Sequence, residues 1–339
     1  MLPKMSPELA QLKQLSEPDF RWLSSAGQEQ AIAPNSVLVQ QGECLDRLLL
    51  ILAGSVLMTI TRANDAPQEV DLLATGSMVG LSSLLNSHPS AISATAIAPS
   101  KILSISHTKL TAKLRQDAKF AARFYHEVAA QLSSRLRGIS AMLVRNQTPA
   151  DPPLRKVLFL FAELNDGDIS WMVETGEQQH LAAGTVLIRQ GEPTIALHLL
   201  LDGTLSVLIA TTVKDKPVDR EVAKLATGEM VGEISFIDAQ TASATVQAHT
   251  PCFVLTLPRA ALMAKLQQDG GFAARFYRSL ALLLVDRLQD RLIRYNSDLT
   301  YAQDQSLDQD FDDELDDRLL QSSALAGVRF DWLLKRLRG

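Results

Sequence analysis

With 339 residues, 46% hydrophobic, 21% charged and only 14 Pro and 17 Gly, the chain has a globular composition with room for about two domains. A disordered, fibrous or collagen-like protein is excluded. Its 33 Lys and Arg against 38 Asp and Glu give a formal charge of −5, the wrong sign for life on phosphate backbones, and two cysteines exclude a disulfide framework or a cysteine zinc site.

The lead-in, residues 1–15, has no basic segment followed by an apolar core, so no secretory signal is expected. The longest apolar run, Leu48 to Met58, is interrupted by Gly54 and is far shorter than the roughly 20 residues of a membrane helix. A cytoplasmic protein with no integral membrane association is therefore the expectation.

From Asp19 onward the chain repeats itself once. Asp19-x-x-Trp22 matches Asp168-x-x-Trp171, Val37-Leu38 matches Val186-Leu187, Gln41-Gly42-Glu43 matches Gln190-Gly191-Glu192, and Gly54 matches Gly203, all at one offset. The register then shifts by three residues. At the new offset Ala74-Thr75-Gly76-x-Met78-Val79-Gly80 matches Ala226-Thr227-Gly228-x-Met230-Val231-Gly232, and Phe120-Ala-Ala-Arg-Phe-Tyr125 matches Phe272-Ala-Ala-Arg-Phe-Tyr277. The extra residues must lie between Gly203 and Gly228.

Within each repeat, short apolar or alternating runs are punctuated by Gly. In the second they are Thr185 to Arg189, Leu197 to Leu201, Thr204 to Ala210, Glu221 to Leu225, Ser243 to Ala248 and Phe253 to Leu257, lengths that suit strands. A long helix follows each set: Phe120, Phe124, Val128, Leu132 and Leu136 recur at helical spacing, as do Phe272, Phe276, Leu280, Leu283, Leu284 and Leu288. Between the repeats, Pro152 and Pro153 end one helix, and Leu154, Val157, Leu158 and Phe161 begin another apolar stripe.

After Tyr295 the composition changes. The stretch from Asn296 to Leu320 holds nine acidic residues and the single Arg318, and it reads as a disordered acidic linker. The last segment, Val328 to Gly339, is basic and amphipathic. As a helix it sets Phe330, Leu333, Leu334 and Leu337 on one face, with Trp332 opposite among Arg329, Lys335 and Arg336. These five apolar residues are candidates for docking a protein partner; folding back on the chain's own domains and contact with an anionic membrane are the alternatives.

The order of these features resembles the cyclic nucleotide-binding domain family. The resemblance rests on Asp-x-x-Trp, on Val-Leu-x-x-Gln-Gly-Glu, on the Ala53-Gly54-Ser55 and Asp202-Gly203-Thr204 hairpins, and on Val231-Gly232-Glu233-Ile234-Ser235-Phe236 ahead of a helical lid. It implies an α+β chain of two antiparallel β-roll, jelly-roll-like domains, each closed by a long C-terminal helix. The expected divisions are domain 1 at 16–144, a linker at 145–164, domain 2 at 165–295, the acidic linker at 296–327 and a docking peptide at 328–339.

In such domains the resemblance implies a ligand inside the roll. Backbone N–H groups of a short helix and an Arg hold the cyclic phosphate, and a Glu accepts from the ribose. Gly232, Glu233, Ile234 and Ser235 match the start of this cassette and Thr245 its end. The Arg position is Ala242. In repeat 1 the Glu position is Leu81 and the Arg position Ser90. A charge-assisted hydrogen bond is worth about 1.5 to 3 kcal/mol, so loss of the Arg alone costs roughly ten- to hundredfold in affinity.

Other chemistry finds no support. No helix-turn-helix module follows the long helix, which argues against DNA, and residues 1–16 offer only Lys4 and Lys13 where kinase regulatory subunits carry a basic pseudosubstrate. The six histidines form no metal-ligand spacing. Asp308, Asp310 and Asp312 imitate a calcium loop, but Asp313 and Leu319 stand where it needs Gly and Glu. Nucleophile-elbow and phosphate-loop motifs are missing too, so no enzyme is expected. The preferred reading is a regulatory adaptor with tandem, partly degenerate domains and no firm cofactor. The alternatives are a cyclic mono- or dinucleotide sensor using domain 2, and a scaffold that self-associates as a homodimer through its long helices.

Overall fold

Short alternating runs become strands, and apolar residues at three- and four-residue spacing become helices. The structure is a computed structural model that describes residues 12–61, 66–145, 158–213, 216–296 and 317–338. Two compact units emerge: Met1–Ile139 with Leu284–Asp308, and Ser140–Leu283 with Gln309–Gly339.

The first unit begins with α1 (Glu17–Ala26), β1 (Gln28–Ile32), β2 (Val37–Val39), β3 (Arg47–Ala53), β4 (Val56–Ile60), β5 (Gln68–Leu73) and β6 (Met78–Val79). There follow α2 (Leu81–Asn86), β7 (Ser93–Ala96), β8 (Ser100–Ser106), α3 (His107–Gln116) and the long α4 (Ala118–Arg145). Its strands form two four-stranded sheets, β1-β8-β3-β6 and β2-β7-β4-β5, antiparallel throughout. Strand β4 shows the alternation such a roll requires, with Val56, Met58 and Ile60 buried and the residues between them partly open.

The second unit repeats the plan after α5 (Phe159–Glu163) and α6 (Asp166–Thr175). Its strands are β9 (Glu177–Leu181), β10 (Val186–Ile188), β11 (Ala196–Asp202), β12 (Leu205–Val213), β13 (Lys216–Leu225) and β14 (Met230–Val231), then β15 (Thr245–Ala248) and β16 (Cys252–Pro258) around α7 (Glu233–Asp238). Helices α8 (Arg259–Gln268), α9 (Gly270–Asn296) and α10 (Asp317–Arg338) complete the chain. The sheets are β9-β16-β11-β14 and β10-β15-β12-β13. The three extra residues lengthen the β12–β13 hairpin, which lies between Gly203 and Gly228.

The duplicated glycine after β3 and β11 has a steric reason. Gly203 has φ +92° and a Cβ there would stand 2.4 Å from the Pro251 carbonyl oxygen; Gly54 has φ +96° and would meet Ser100 Cα at 2.7 Å. Both the left-handed backbone and the close approach admit only glycine.

Three elements differ from the expectations. Strands β9 and β14 carry no apolar alternation: β9 is Glu-Gln-Gln-His-Leu, aligned by its pairing with β16, and β14 is two residues long. Helix α10 starts at Asp317, eleven residues ahead of Val328, so the C-terminal part of the segment expected as a disordered linker is helical. Leu319, Leu320, Gln321, Ala324, Leu325 and Ala326 are good helix formers, which outweigh the acidic start. The rest of the acidic stretch, 297–316, lies outside the described residues, as do 1–11 and 146–157. Among the described residues no helix is long and apolar enough to cross a membrane.

Candidate functional site

The second cassette is set by the turn between β14 and α7. Gly232, with φ +89°, caps α7 in the left-handed region, and a Cβ there would come within 3.0 Å of the Ala196 carbonyl oxygen. Glu233 and Ser235 are buried on α7 and Ile234 is half-buried. Thr245 opens β15, where its hydroxyl accepts the Gln190 backbone N–H at 3.1 Å and so braces the Gln190-Gly191-Glu192 turn. The chain thus gathers Gly232 to Ser235 on one turn and helix and sets Thr245 on a neighbouring strand of the roll.

Ala242, where the family pattern has its Arg, is 6% exposed and packs in an apolar cluster with Ile188, Leu205, Val231 and Val246. Its backbone is engaged on both sides: Gly191 N donates to Ala242 O and Ala242 N to Glu192 O, each at 2.9 Å. The three cations of interest around this unit's helices are likewise engaged. Arg259 donates to the Ser235 and Phe236 carbonyls at 3.3 and 3.2 Å and lies 4.9 Å over the Phe236 ring. Arg275 forms a bidentate pair with Asp168 at 2.6 and 2.9 Å, and Arg278 pairs with Glu163. Sequence reasoning missed Arg259.

The Arg275 pair explains two of the repeated strings at once. In repeat 1 Arg123 grips Asp19 in the same fork, at 2.6 and 2.7 Å. Trp22 meets Phe120 edge-on at 5.2 Å, and Trp171 meets Phe272 at 5.4 Å. Asp-x-x-Trp and Phe-Ala-Ala-Arg-Phe-Tyr are therefore the two halves of one clasp, present in both units. Burial alone would raise the Asp19 carboxyl, but the hydrogen bonds from Arg123 and Ser16 outweigh it and hold the carboxyl below the usual range.

The first cassette keeps the left-handed glycine, Gly80 at φ +91°, but α2 begins with a buried Leu81. Ser90, at its Arg position, turns its hydroxyl inward to the Ile92 carbonyl at 2.7 Å. The remaining cavity is about 50 Å³, walled by Leu81, Ser90, Leu132 and Arg135 together with Leu288 and Leu292 from the part of α9 that belongs to this unit. Arg135 donates to the Met78 carbonyl at 2.6 Å, and burial lowers the pKa of its guanidinium. Gln289 Oε1 accepts from Asn86 Nδ2 at 3.2 Å and stands 3.3 Å from His88 Nδ1, while its Nε2 donates to Pro89 O at 3.3 Å.

Of the five residues assigned to partner docking, three are covered by the chain itself. Phe330, Leu333 and Leu337 are buried, Phe330 edge-on to Phe161 at 5.0 Å; Leu334 is half-buried and Trp332 is exposed. The Phe330 face of α10 therefore folds back on its own unit instead of standing free. An amphipathic face finds the nearest apolar surface, and α5 and α6 supply it. Among the described residues no group of three His, Cys, Asp or Glu could hold a metal ion.

Comparison with known proteins bears directly on the two rolls. A potassium channel protein of Rhodopseudomonas palustris is 28% identical over 116 residues, 34% of this chain and 27% of that protein. Glutaminase 2 of Bradyrhizobium diazoefficiens is 31% identical over 129 residues, 38% of this chain and 19% of that protein. The chain therefore spans about a quarter and a fifth of the length of these curated relatives. A solved cyclic nucleotide-binding domain from Methylobacillus flagellatus is 23% identical, with a TM-score of 0.39, over 42% of this chain and 84% of that one. The model of the cyclic nucleotide-binding domain family matches residues 29–117 and 178–269, the first running from β1 into the end of α3 and the second from β9 into the end of α8. With a match on each roll and its cassette, the chain belongs to the cyclic nucleotide-binding domain family and carries two such domains in tandem.

Proposed function

We propose that this chain is a non-enzymatic regulatory adaptor whose two β-rolls serve as scaffolds instead of nucleotide receptors, and which engages a protein partner through its C-terminal helix. The observation that carries the reading is Ala242: the position that should bring a cation to a cyclic phosphate is a methyl group in an apolar cluster. An unpaired phosphate charge in such surroundings is strongly disfavoured. Arg259, Arg275 and Arg278 do not substitute, since each is committed to a protein partner. In the first roll Leu81 cannot accept from a ribose hydroxyl, and a cavity of about 50 Å³ is far below the roughly 300 Å³ of a small-molecule pocket.

Calorimetric titration of the full chain with cAMP, cGMP and cyclic dinucleotides tests this. Silence across the panel, with the protein shown to be folded, is expected. Saturable binding at about one ligand per chain would overturn it in favour of a sensor. That second reading has its own support in repeat 2, where Gly232 keeps the left-handed cap and Glu233 sits at the first position of α7. For a sensor, Glu233→Ala must abolish the binding.

A further inference from the structure

Helix α10 is apolar on two sides, and its own unit covers one of them. Ala326, Phe330, Leu333 and Leu337 are buried, whereas Leu325, Val328 and Trp332 stand 45, 66 and 45% exposed. Their spacing of i, i+3 and i+7 sets those three in one stripe on the opposite side. The stripe does not face out by accident of rotation. Arg329 donates to Asp166 Oδ1 at 2.8 Å and to the Phe161 carbonyl at 3.1 Å, and nine residues on Arg338 donates to Asp202 Oδ2 at 3.1 Å. These ties, with the Phe330 contact, fix the turn of the helix.

At about 3.6 residues per turn, Lys335 and Arg336 flank the stripe at its C-terminal end, both exposed. Asp331 is also exposed but lies farther round, beyond Lys335. The face is thus apolar along its middle and positive at one end. Burial of three exposed apolar side chains favours association, and the two cations select the sign of what covers them.

We propose that Leu325, Val328 and Trp332, with Lys335 and Arg336, form the docking face for an acidic amphipathic helix of a protein partner. This rests on the adaptor reading and names its surface and its partner's chemistry. An i, i+3, i+7 row is what one helix offers another. Three side chains on a helix pinned to its unit are a poor membrane anchor, since interfacial binding scales with a long buried apolar face. A second copy of the chain meeting this face in parallel would bring the same cations together and be repelled, and an antiparallel copy would leave them without an acidic partner.

The probe is a fluorescein-labelled peptide of about five helical turns, Leu and Phe at i, i+3 and i+7 and Glu between, titrated with the full-length chain. Its Lys-for-Glu counterpart and POPC/POPG vesicles are run alongside. Saturable anisotropy with the Glu peptide alone is expected, weakened roughly tenfold or more by Trp332→Ala and by Lys335→Glu with Arg336→Glu, and weakened by added salt. Circular dichroism checks that the variants are folded, and Arg21→Glu, an exposed charge on α1, must leave the affinity unchanged. The proposal is overturned by no binding at about 100 μM, by equal binding of the Lys peptide, by binding to vesicles only, or by indifference to Trp332→Ala. Nucleotide calorimetry on the same sample separates the two claims. Peptide binding together with cAMP binding would leave the face standing and remove the scaffold reading; silence from both would do the reverse.

Discussion

The most expensive single residues to lose are the buried halves of the two clasps. Asp168 caps α6 by accepting the Asn165 N–H at 2.9 Å while it accepts both arms of Arg275, so one carboxylate closes a helix and ties it to α9. Asp168→Ala leaves a guanidinium without its partner and should cost about 3 kcal/mol in a urea unfolding midpoint. In a double-mutant cycle with Arg275→Ala the two losses should be strongly non-additive. His198 sets a different dependence. It is buried with its Nδ1 2.9 Å from Thr256 Oγ1, and burial pushes its pKa down from 6.5 to about 4. The unfolded chain therefore binds this proton first, and stability must fall as the pH drops from about 6.5 to about 4, by about 3 kcal/mol in all. His198→Asn should flatten that limb in urea midpoints taken between pH 7 and 4. The Asp19 carboxyl acts lower: its contribution is present above its unfolded value near 3.8 and is lost as the pH falls through its depressed folded value.

At the scale of elements, the second cassette gives a sharp test, because its short helix and turn are intact while its charge is missing. Ala242→Arg forces a cation into the cluster of Ile188, Leu205, Val231 and Val246 and should lower the melting temperature by several degrees. If the roll has kept a nucleotide-shaped space, millimolar cAMP will restore part of that loss by binding only the folded state; if it has not, cAMP will do nothing. The scaffold reading expects no rescue. The missing Arg was legible in the sequence, since counting from Glu233 reaches Ala242, but the company it keeps was not. The long helices were legible because Phe272 to Leu288 repeats at helical spacing over many turns. Strand β9 was not, because a polar edge strand takes its conformation from the hydrogen bonds of β16 and carries no pattern of its own. The clasp lay between: both of its strings stood out as duplicated, yet nothing local says that Asp19 meets Arg123 or Asp168 meets Arg275 more than a hundred residues away. For α10 the sequence singled out Trp332 correctly as standing opposite Phe330, while the packing of Phe330 on Phe161 depended on a tertiary surface that no periodicity records.

For the molecule as a whole, burial along α9 decides how it should behave in solution. Leu280, Ala281, Leu282, Leu283, Leu284 and Val285 are six consecutive buried residues, more than one full turn, so this stretch of the helix bares no apolar side chain. The exposed positions of α4 from Ala118 to Ile139 are Ala118, Lys119, Ser134 and Gly138, with no large apolar side chain among them. Homodimers built on such helices need a bared apolar stripe, and a dimer interface must bury on the order of 1,000 Å² or more to be stable. Among the described residues of α4 and α9, Ile293 is the one large apolar side chain that stands exposed, and a single side chain makes no such stripe. Sedimentation at high micromolar concentration should therefore show a monomer. A dimer that disappears with Trp332→Ala would move self-association to α10 and sink the acidic-partner proposal. A dimer indifferent to that change would mean that α9 or α4 is uncovered in solution and that the burial of Leu280 to Val285 is not the solution state.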